Sequence, residues 1–162
     1  MKLGYVMMDD PRVLDTTLAC VAQDLLEKGL RVSGVVQINT EREKDHKCDM
    51  DVKVLPEGPT ICISQSLGAG STGCRLNPEA LETAVELVAK ELETGSDVLL
   101  INKFGKHEAE GRGFRELIGT ALSREIPVLV GLNGLNKAAF QEFAGNLETH
   151  VDAGQALEWV NS

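Results

Sequence analysis

The stretch that decides the fold is Asp97-Val98-Leu99-Leu100-Ile101, where an aspartate is followed by four aliphatic residues in a row. A short uninterrupted apolar run is typical of a strand that is buried on both faces of a sheet. Three other segments also have strand character, at residues 3–7, at residues 31–36, which are rich in valine, and at residues 127–131. Because segments with helical periodicity separate these runs, the sequence predicts an α/β fold, in which a mostly parallel sheet carries helices on both faces.

The helices are predicted from their apolar periodicity and from the residues at their ends. Asn77-Pro78-Glu79 suits a helix start, with asparagine as the N-cap, proline in the first turn and an acid near the N-terminus. Gly29 and Gly95 suit the ends of the first two helices. The predicted helices cover residues 13–28, 77–93, 113–124, 136–143 and 153–160.

One insertion interrupts the alternation of strands and helices. Residues 51–55 and 60–64 have strand character and flank the turn Pro56-Glu57-Gly58-Pro59, which predicts an inserted β-hairpin at about residues 51–64. The polar segment 39–47 before it is predicted to be a loop. No repeat or linker divides the sequence, and 162 residues is an ordinary size for one domain, so we expect a single domain over residues 1–162.

The composition limits the classes of partner. The net charge is −9, and nucleic acids and anionic membranes repel an acidic protein, so we expect neither as a partner. No apolar stretch is long enough for a signal peptide or a membrane span, which predicts a cytoplasmic protein whose four cysteines are reduced. The sequence leaves the oligomeric state open and is compatible with a homo-oligomer.

The loop that follows Ile101 is the first candidate site. Ligands of open α/β sheets bind beyond the carboxyl ends of the strands, and residues 102–112 gather cations at such an end. An anion site there is favoured over the alternative of a solvated loop with paired charges, because long loops in compact domains are often functional. The candidate ligand-binding residues are Asn102, Lys103, Lys106, His107 and Arg112.

A glycine-rich loop at residues 68–75 is the second candidate site. It has no acidic residue and leads into a helix, so its backbone N–H groups and hydroxyls suit an anion. The alternative is a plain connection between the hairpin and the helix. If the two loops converge, they form one electropositive pocket. The candidate residues are Gly70, Ser71, Thr72, Gly73 and Arg75.

Metal and thiol chemistry are less favoured. His46, Cys48, Asp49 and Asp51, with the distant Cys74, mix metal-binding residue types but match no metal-site spacing, so a structural turn is favoured and no metal is expected. Cys74 is adjacent to Arg75 and near a helix start, which would lower its thiol pKa, but the only base available is the distant His107.

Several strings carry a resemblance to known proteins: Cys48-Asp49-Met50-Asp51, Ile63-Ser64-Gln65, Gly70-Ser71-Thr72-Gly73-Cys74-Arg75-Leu76 and the segment 102–113, together with Gln37. With these strings, and over nearly its whole length, the chain resembles the DUF2478 family of bacterial proteins. The resemblance implies a link to molybdate transport, because genes of that family often lie near molybdate-transport genes. It implies no particular activity.

The chain is also similar to the THEP1-type nucleoside-triphosphatases in its first strand, helix and strand up to Ser33-Gly34, and in the segment 98–108. This likeness implies a P-loop-NTPase-like three-layer sandwich. Those enzymes carry a phosphate loop after the first strand, whereas residues 7–17 here contain neither glycine nor lysine, which predicts a degenerate P-loop. Asn102 stands where the family has its Walker B acid, and Glu108 is the retained candidate acid.

Two functions are compatible with these patterns. The first is a binding or regulatory protein that captures a nucleotide phosphate, or an oxyanion such as molybdate, at the strand-end loops. The alternative is a divergent nucleoside-triphosphatase or phosphotransferase in which Glu108 acts with Lys103 or Lys106. The missing phosphate loop favours the first and predicts that ATP and GTP are hydrolysed very slowly or not at all.

Overall fold

The computed structural model describes residues 1–39, 50–66 and 74–162. The strands in these residues are β1 (Leu3–Met7), β2 (Val32–Asn39), β3 (Met50–Leu55), β4 (Thr60–Cys62), β5 (Ser64–Ser66), β6 (Cys74–Leu76), β7 (Val98–Ile101), β8 (Val128–Leu132) and β9 (Glu148–His150). The α-helices are α1 (Pro11–Glu27), α2 (Pro78–Glu93), α3 (Lys106–Ala109), α4 (Arg115–Ser123), α5 (Lys137–Ala144) and α6 (Ala156–Asn161). Short 3-10 turns precede the last two, at Gly134–Asn136 and Ala153–Gln155.

A seven-stranded sheet in the order β4-β3-β2-β7-β8-β1-β9 forms the centre of the molecule. Five of its strands, from β2 to β9 in this order, run parallel to one another. The predicted hairpin extends one edge, because β3 pairs antiparallel with both β2 and β4. The expected α/β fold with a mostly parallel sheet and an inserted hairpin is confirmed.

Each face of the sheet is covered by its own apolar core. Helices α2, α4 and α5 pack on one face, against side chains that include Leu99 and Ile101. Helices α1 and α6 pack on the other face, against Val98 and Leu100 of the same strand. Because successive side chains of a strand point to opposite faces, the apolar run of β7 serves both cores, and the expected three-layer arrangement is confirmed.

Two β elements were not predicted. Strand β9 pairs in parallel with β1, at the edge of the main sheet. Strands β5 and β6 form a separate antiparallel pair, with Gln65 opposite Arg75 and Ser66 opposite Cys74. The prediction that a single strand reaches Ser64 was therefore wrong, and so was the assignment of Cys74 and Arg75 to a loop.

Other boundaries also differ from the expectations. The predicted eleven-residue loop 102–112 contains the short helix α3, and the helix expected from residue 113 begins at Arg115. The predicted loop 39–47 lies outside the described residues, apart from Asn39 at the end of β2. Residues 68–73 of the glycine-rich loop also lie outside them.

Close approach of β2 and β7 depends on Gly34. Its φ angle is +125°, and a Cβ atom built on it would lie 1.8 Å from the carbonyl oxygen of Leu100 in the neighbouring strand. A side chain at this position would therefore separate the two central strands.

Candidate functional site

The carboxyl ends of β1 and β8 form the point at which the connections of the sheet diverge. The two strands pair in parallel, with Met7 opposite Leu132. After β1 the chain enters α1 on one face, whereas after β8 it enters α5 on the other. Ligands of open α/β sheets bind in the crevice that such diverging connections create. The neighbouring end of β7 carries the predicted loop 102–112.

The connection between β1 and α1 is short and acidic. It consists of Met8, Asp9 and Asp10, and Pro11 is the first residue of the helix. The side chain of Asp10 caps the helix by accepting a hydrogen bond from the backbone N–H of Arg12, at 2.9 Å. A carboxylate of the chain itself therefore occupies the position at which a helix N-terminus would attract an external anion.

Asn102, the first residue after β7, is buried. Its side chain is 2% exposed and donates a hydrogen bond from Nδ2 to the carboxylate of Asp15 in α1, at 2.9 Å. Its Oδ1 has no hydrogen-bond partner among the described residues. A Cβ atom built on Gly131 would lie 3.2 Å from Oδ1 and 2.4 Å from Leu18, so this glycine leaves room for both side chains. The pair Asp15–Asn102 joins α1 to the end of β7.

Glu108 organises the loop from the inside. It is 4% exposed, and its two carboxylate oxygens accept backbone hydrogen bonds from Gly105 at 2.9 Å and from Phe114 at 3.1 Å. Burial raises the pKa of the Glu108 carboxyl, and the two N–H donors oppose this shift. Gly113 has φ +62°, and a Cβ atom on it would lie 1.9 Å from Oε2 of Glu108. The acid thus ties both ends of the loop together.

Ring packing of Phe104 and contacts of the Arg115 guanidinium also hold this loop in place. Phe104 is fully buried and its ring packs at 5.2 Å from that of Phe140, while its backbone N–H bonds to the carbonyl of Gly131 at 2.9 Å. The guanidinium of Arg115 lies 5.1 Å from the ring of Phe143 and donates to the carbonyl of Glu108 at 3.4 Å. The loop is therefore a packed part of the fold.

The predicted residues of this loop differ in their burial. Asn102, His107 and Glu108 are buried. Lys106 and Arg112 are exposed, and Lys103 is half-buried. The sequence does not distinguish buried from exposed residues within this loop.

The cations differ in their partners. Arg112 pairs with the carboxylate of Glu110 at 2.5 Å, and both side chains are largely exposed. Lys103 and Lys106 make no salt bridge with any residue in the described ranges. As far as the described part of the chain shows, Lys103 and Lys106 have no carboxylate partner and can meet an anion.

The other predicted wall of the site is only partly described. Gly70, Ser71, Thr72 and Gly73 lie outside the described residues, and Arg75 is part of β6. Of the residues considered as metal ligands, His46, Cys48 and Asp49 also lie outside them, whereas Asp51 is part of β3 and Cys74 is part of β6. Among the residues that are described, no group of three or more metal-binding side chains is present.

Sequence reasoning missed the contribution of the first helix and of the turn after β8. Asp15 is 4% exposed and lies among the apolar residues of α1. The available signal in the sequence was an acidic residue on the apolar face of a predicted helix. Asn133 holds the turn after β8 by accepting bonds from the backbone N–H and the side-chain amide of Asn136, both at 3.2 Å. Asparagine and glycine after an apolar run were the signal for this turn.

Comparison with curated proteins finds a relative that is linked by its name to molybdenum import. Over 145 residues the chain is 38% identical to the molybdenum import ATP-binding protein ModC 2 of Bradyrhizobium diazoefficiens. The match covers 90% of this chain and 16% of that protein, so the chain spans about one sixth of its relative's length. No solved structure matches the chain.

The described helices include none that is long and apolar enough to cross a membrane. The model of one protein family, described as a protein of unknown function (DUF2478), matches residues 3–159. The resemblance to DUF2478 that the sequence predicted is thereby confirmed, and the chain belongs to the DUF2478 family.

Proposed function

We propose that this chain is a cytoplasmic regulatory protein that captures a small anion, either a nucleotide phosphate or an oxyanion such as molybdate, without hydrolysing nucleotide. The observation that carries the proposal is the pair Lys103 and Lys106, which make no salt bridge with described residues although the chain has a net charge of −9. Cations without a carboxylate partner can form charge-assisted hydrogen bonds with an anion. They lie at the carboxyl edge of a parallel sheet, which is where such sheets bind their ligands.

The glycine-rich segment would supply the second wall of the site. It leads through β6 into α2, and Glu82 of α2 accepts a hydrogen bond from the backbone N–H of Gly113, at 3.3 Å. The start of α2 therefore lies against the end of the loop 102–112. We propose that Gly70, Ser71, Thr72, Gly73 and Arg75 supply this second wall, because the segment that contains them leads into α2. Arg112 would join the site by releasing Glu110.

The short connection after β1 supports binding without hydrolysis. A phosphate loop needs eight residues with two glycines, a lysine and a hydroxyl, so that backbone N–H groups surround the phosphates. Here three residues separate strand and helix, and Asp10 already uses the N–H of Arg12. Asp9 and Asp10 would also repel a phosphate at this point.

The geometry of Glu108 argues against the alternative of a divergent nucleoside-triphosphatase. A catalytic acid or base has to reach the substrate or its attacking water. Both oxygens of Glu108 instead accept backbone hydrogen bonds, and the side chain is 4% exposed. Catalysis by Glu108 would require the loop to give up the bonds to Gly105 and Phe114.

The link to molybdate rests on the relative. The matched segment is 16% of a protein named for molybdenum import and ATP binding, so most of that protein lies outside the match. We propose that the segment represented by this chain binds the anion and thereby regulates the ATP-binding protein of molybdate import. The hydrolysis of ATP would take place outside this segment.

Thermal unfolding with a panel of anions tests the proposal. The panel contains molybdate, tungstate, sulfate, phosphate, ADP and ATP, each with and without Mg²⁺. At a concentration of 100 Kd, a bound anion stabilises the native state by about 2.7 kcal/mol, which raises the Tm of a chain of this size by roughly 5–11 °C. We expect this rise for one anion in the wild type, and its loss in the double variant Lys103→Ala/Lys106→Ala.

Lys90→Ala is the matched control, because Lys90 is exposed near the end of α2, which leads to the opposite edge of the sheet. It should keep the full Tm rise. The proposal of anion capture fails if no anion raises the Tm of the wild type, or if the double variant responds like Lys90→Ala. Turnover of ATP at roughly 1 per second or more, lost in Glu108→Gln, would establish the hydrolase instead.

A further inference from the structure

Exposed apolar side chains lie beside the proposed anion site, where the connections of the sheet diverge. Leu135 is 93% exposed and Val13 is 49% exposed. They follow the paired strand ends Leu132 and Met7, so both lie at the same rim of the sheet. With Asp9, Asp10 and Gly134 they form what we call the switch-point surface.

We propose that the switch-point surface is the docking site for the ATP-binding protein of molybdate import, which makes it the route by which this chain regulates its partner. The inference rests on the proposed function and adds the surface through which it operates. Single exposed apolar residues are common on proteins, so exposure alone does not identify a docking site. Rigidity, charge and the relative each add an argument.

The surface is held in place before any partner binds. The Asn133 side chain fixes the turn that carries Leu135, with two bonds to Asn136 at 3.2 Å. Asp10 caps α1 through the N–H of Arg12, and the backbone N–H of Met8 bonds to the carbonyl of Leu132 at 3.3 Å. A leucine on a fixed turn loses little conformational freedom when it enters a partner's pocket, which favours binding.

The charge of the rim indicates the chemistry of the partner surface. Asp9 lies beside Gly134, since a Cβ atom on this glycine would be 3.8 Å from the Asp9 carboxylate. An exposed leucine on a turn next to Asp9, on a chain of net charge −9, is complementary to an apolar pocket bordered by lysine or arginine. Such a rim makes the association rate fall with added salt.

The relative indicates which protein to expect as the partner. In ModC 2 the segment similar to this chain is covalently part of an ATP-binding protein, of which it makes up 16%. A segment that shares a chain with an ATP-binding protein is held beside it at high effective concentration. We therefore expect an exposed apolar surface on the segment to contact the ATP-binding protein.

Binding of the purified chain to the ATP-binding protein of the molybdate importer from the same organism tests the proposal. Biolayer interferometry should show binding that weakens at least tenfold in Leu135→Asp, a change at a 93% exposed position that leaves the fold intact. Leu147→Asp is the control, because Leu147 is 47% exposed and directly precedes β9, so it lies at the amino ends of the parallel strands, away from the switch-point surface at their carboxyl ends. It should bind like the wild type. Asp9→Asn should reduce the dependence of the association rate on salt.

Three outcomes would overturn the inference. The wild type fails to bind the ATP-binding protein, Leu135→Asp binds as tightly as the wild type, or sedimentation shows that the wild type is a dimer that Leu135→Asp dissociates. The last result would identify a second copy of the chain as the occupant. Leu135→Asp should keep the anion-dependent rise in Tm, so loss of docking and loss of anion capture are measured separately.

Discussion

Replacement of Glu108 tests whether this buried acid holds the loop 102–114 together. In Glu108→Ala, the backbone N–H groups of Gly105 and Phe114 lose their acceptors. An unsatisfied buried donor costs about 1–3 kcal/mol, and Gly105 is only half-buried, so we expect a loss of about 3 kcal/mol in unfolding free energy. In a chain of this size that loss lowers the Tm by roughly 6–12 °C.

Glu108→Gln removes the negative charge of the side chain while nearly keeping its shape. A glutamine keeps one acceptor oxygen but turns an NH₂ group toward the second backbone N–H, so one of the two hydrogen bonds is lost. We expect a smaller loss at neutral pH, of about 1–2 kcal/mol.

The pH dependence of this loss has a defined sign. The pKa of Glu108 is raised in the folded state, mainly by burial, above its ordinary value of 4.5. The native state therefore binds more protons than the unfolded state between these two values. The stability that Glu108 contributes is fully present below pH 4.5 and falls as the pH rises through the folded pKa. The loss caused by Glu108→Gln should accordingly be larger at pH 4 than at pH 7.

Urea unfolding followed by circular dichroism measures these differences. Glu110→Ala is the matched control, because Glu110 lies in the same loop but is exposed and pairs only with Arg112 at the surface. It should change the unfolding free energy by less than about 0.5 kcal/mol. The role assigned to Glu108 is refuted if Glu108→Ala and Glu110→Ala unfold at the same urea concentration.

Two further substitutions test the central strands and the buried pair. Gly34→Ala should lower the unfolding free energy by about 4 kcal/mol or prevent folding, because its Cβ would lie 1.8 Å from the Leu100 carbonyl oxygen. Gly119→Ala, on the exposed side of α4 with no atom within 4 Å, should raise the unfolding free energy by about 0.5–1 kcal/mol. Equal urea midpoints for these two variants would contradict the assigned strand spacing. Asn102→Asp should cost about 3–5 kcal/mol at pH 7 and less at pH 5, because it places a second buried carboxylate against Asp15. A variant as stable as the wild type at pH 7 would show that this pair is not packed as described.

The central elements could be predicted because their signals are local. The run ending at Ile101 is continuous and apolar, and Asn77 and Pro78 mark the start of α2 at the observed residue. Strand β9 has no such signal: its residues Glu148–His150 are polar and partly exposed, and they are extended because the edge of β1 offers backbone partners. A pairing of this kind depends on the whole sheet, which a local pattern does not encode.

The place of the loop 102–112 in the fold was predictable, and its internal structure was not. A parallel sheet places its ligand at the carboxyl edge, and that edge is known once the strands are known. The burial of Glu108 depends on hydrogen bonds to Gly105 and Phe114, which form only when the loop closes. The sequence pattern therefore does not indicate that His107 and Glu108 are buried.

The three residues between β1 and α1 also have a consequence for how this family could change over time. A loop too short to surround a phosphate cannot be converted by point substitutions, because glycines and a lysine introduced at residues 8–10 would still lack the length to wrap around it. Gain of a phosphate loop would require an insertion that also displaces the carboxylate of Asp10 from the helix end. The length of this connection, more than the identity of any residue in it, should therefore divide relatives that can acquire hydrolysis by substitution from those that cannot.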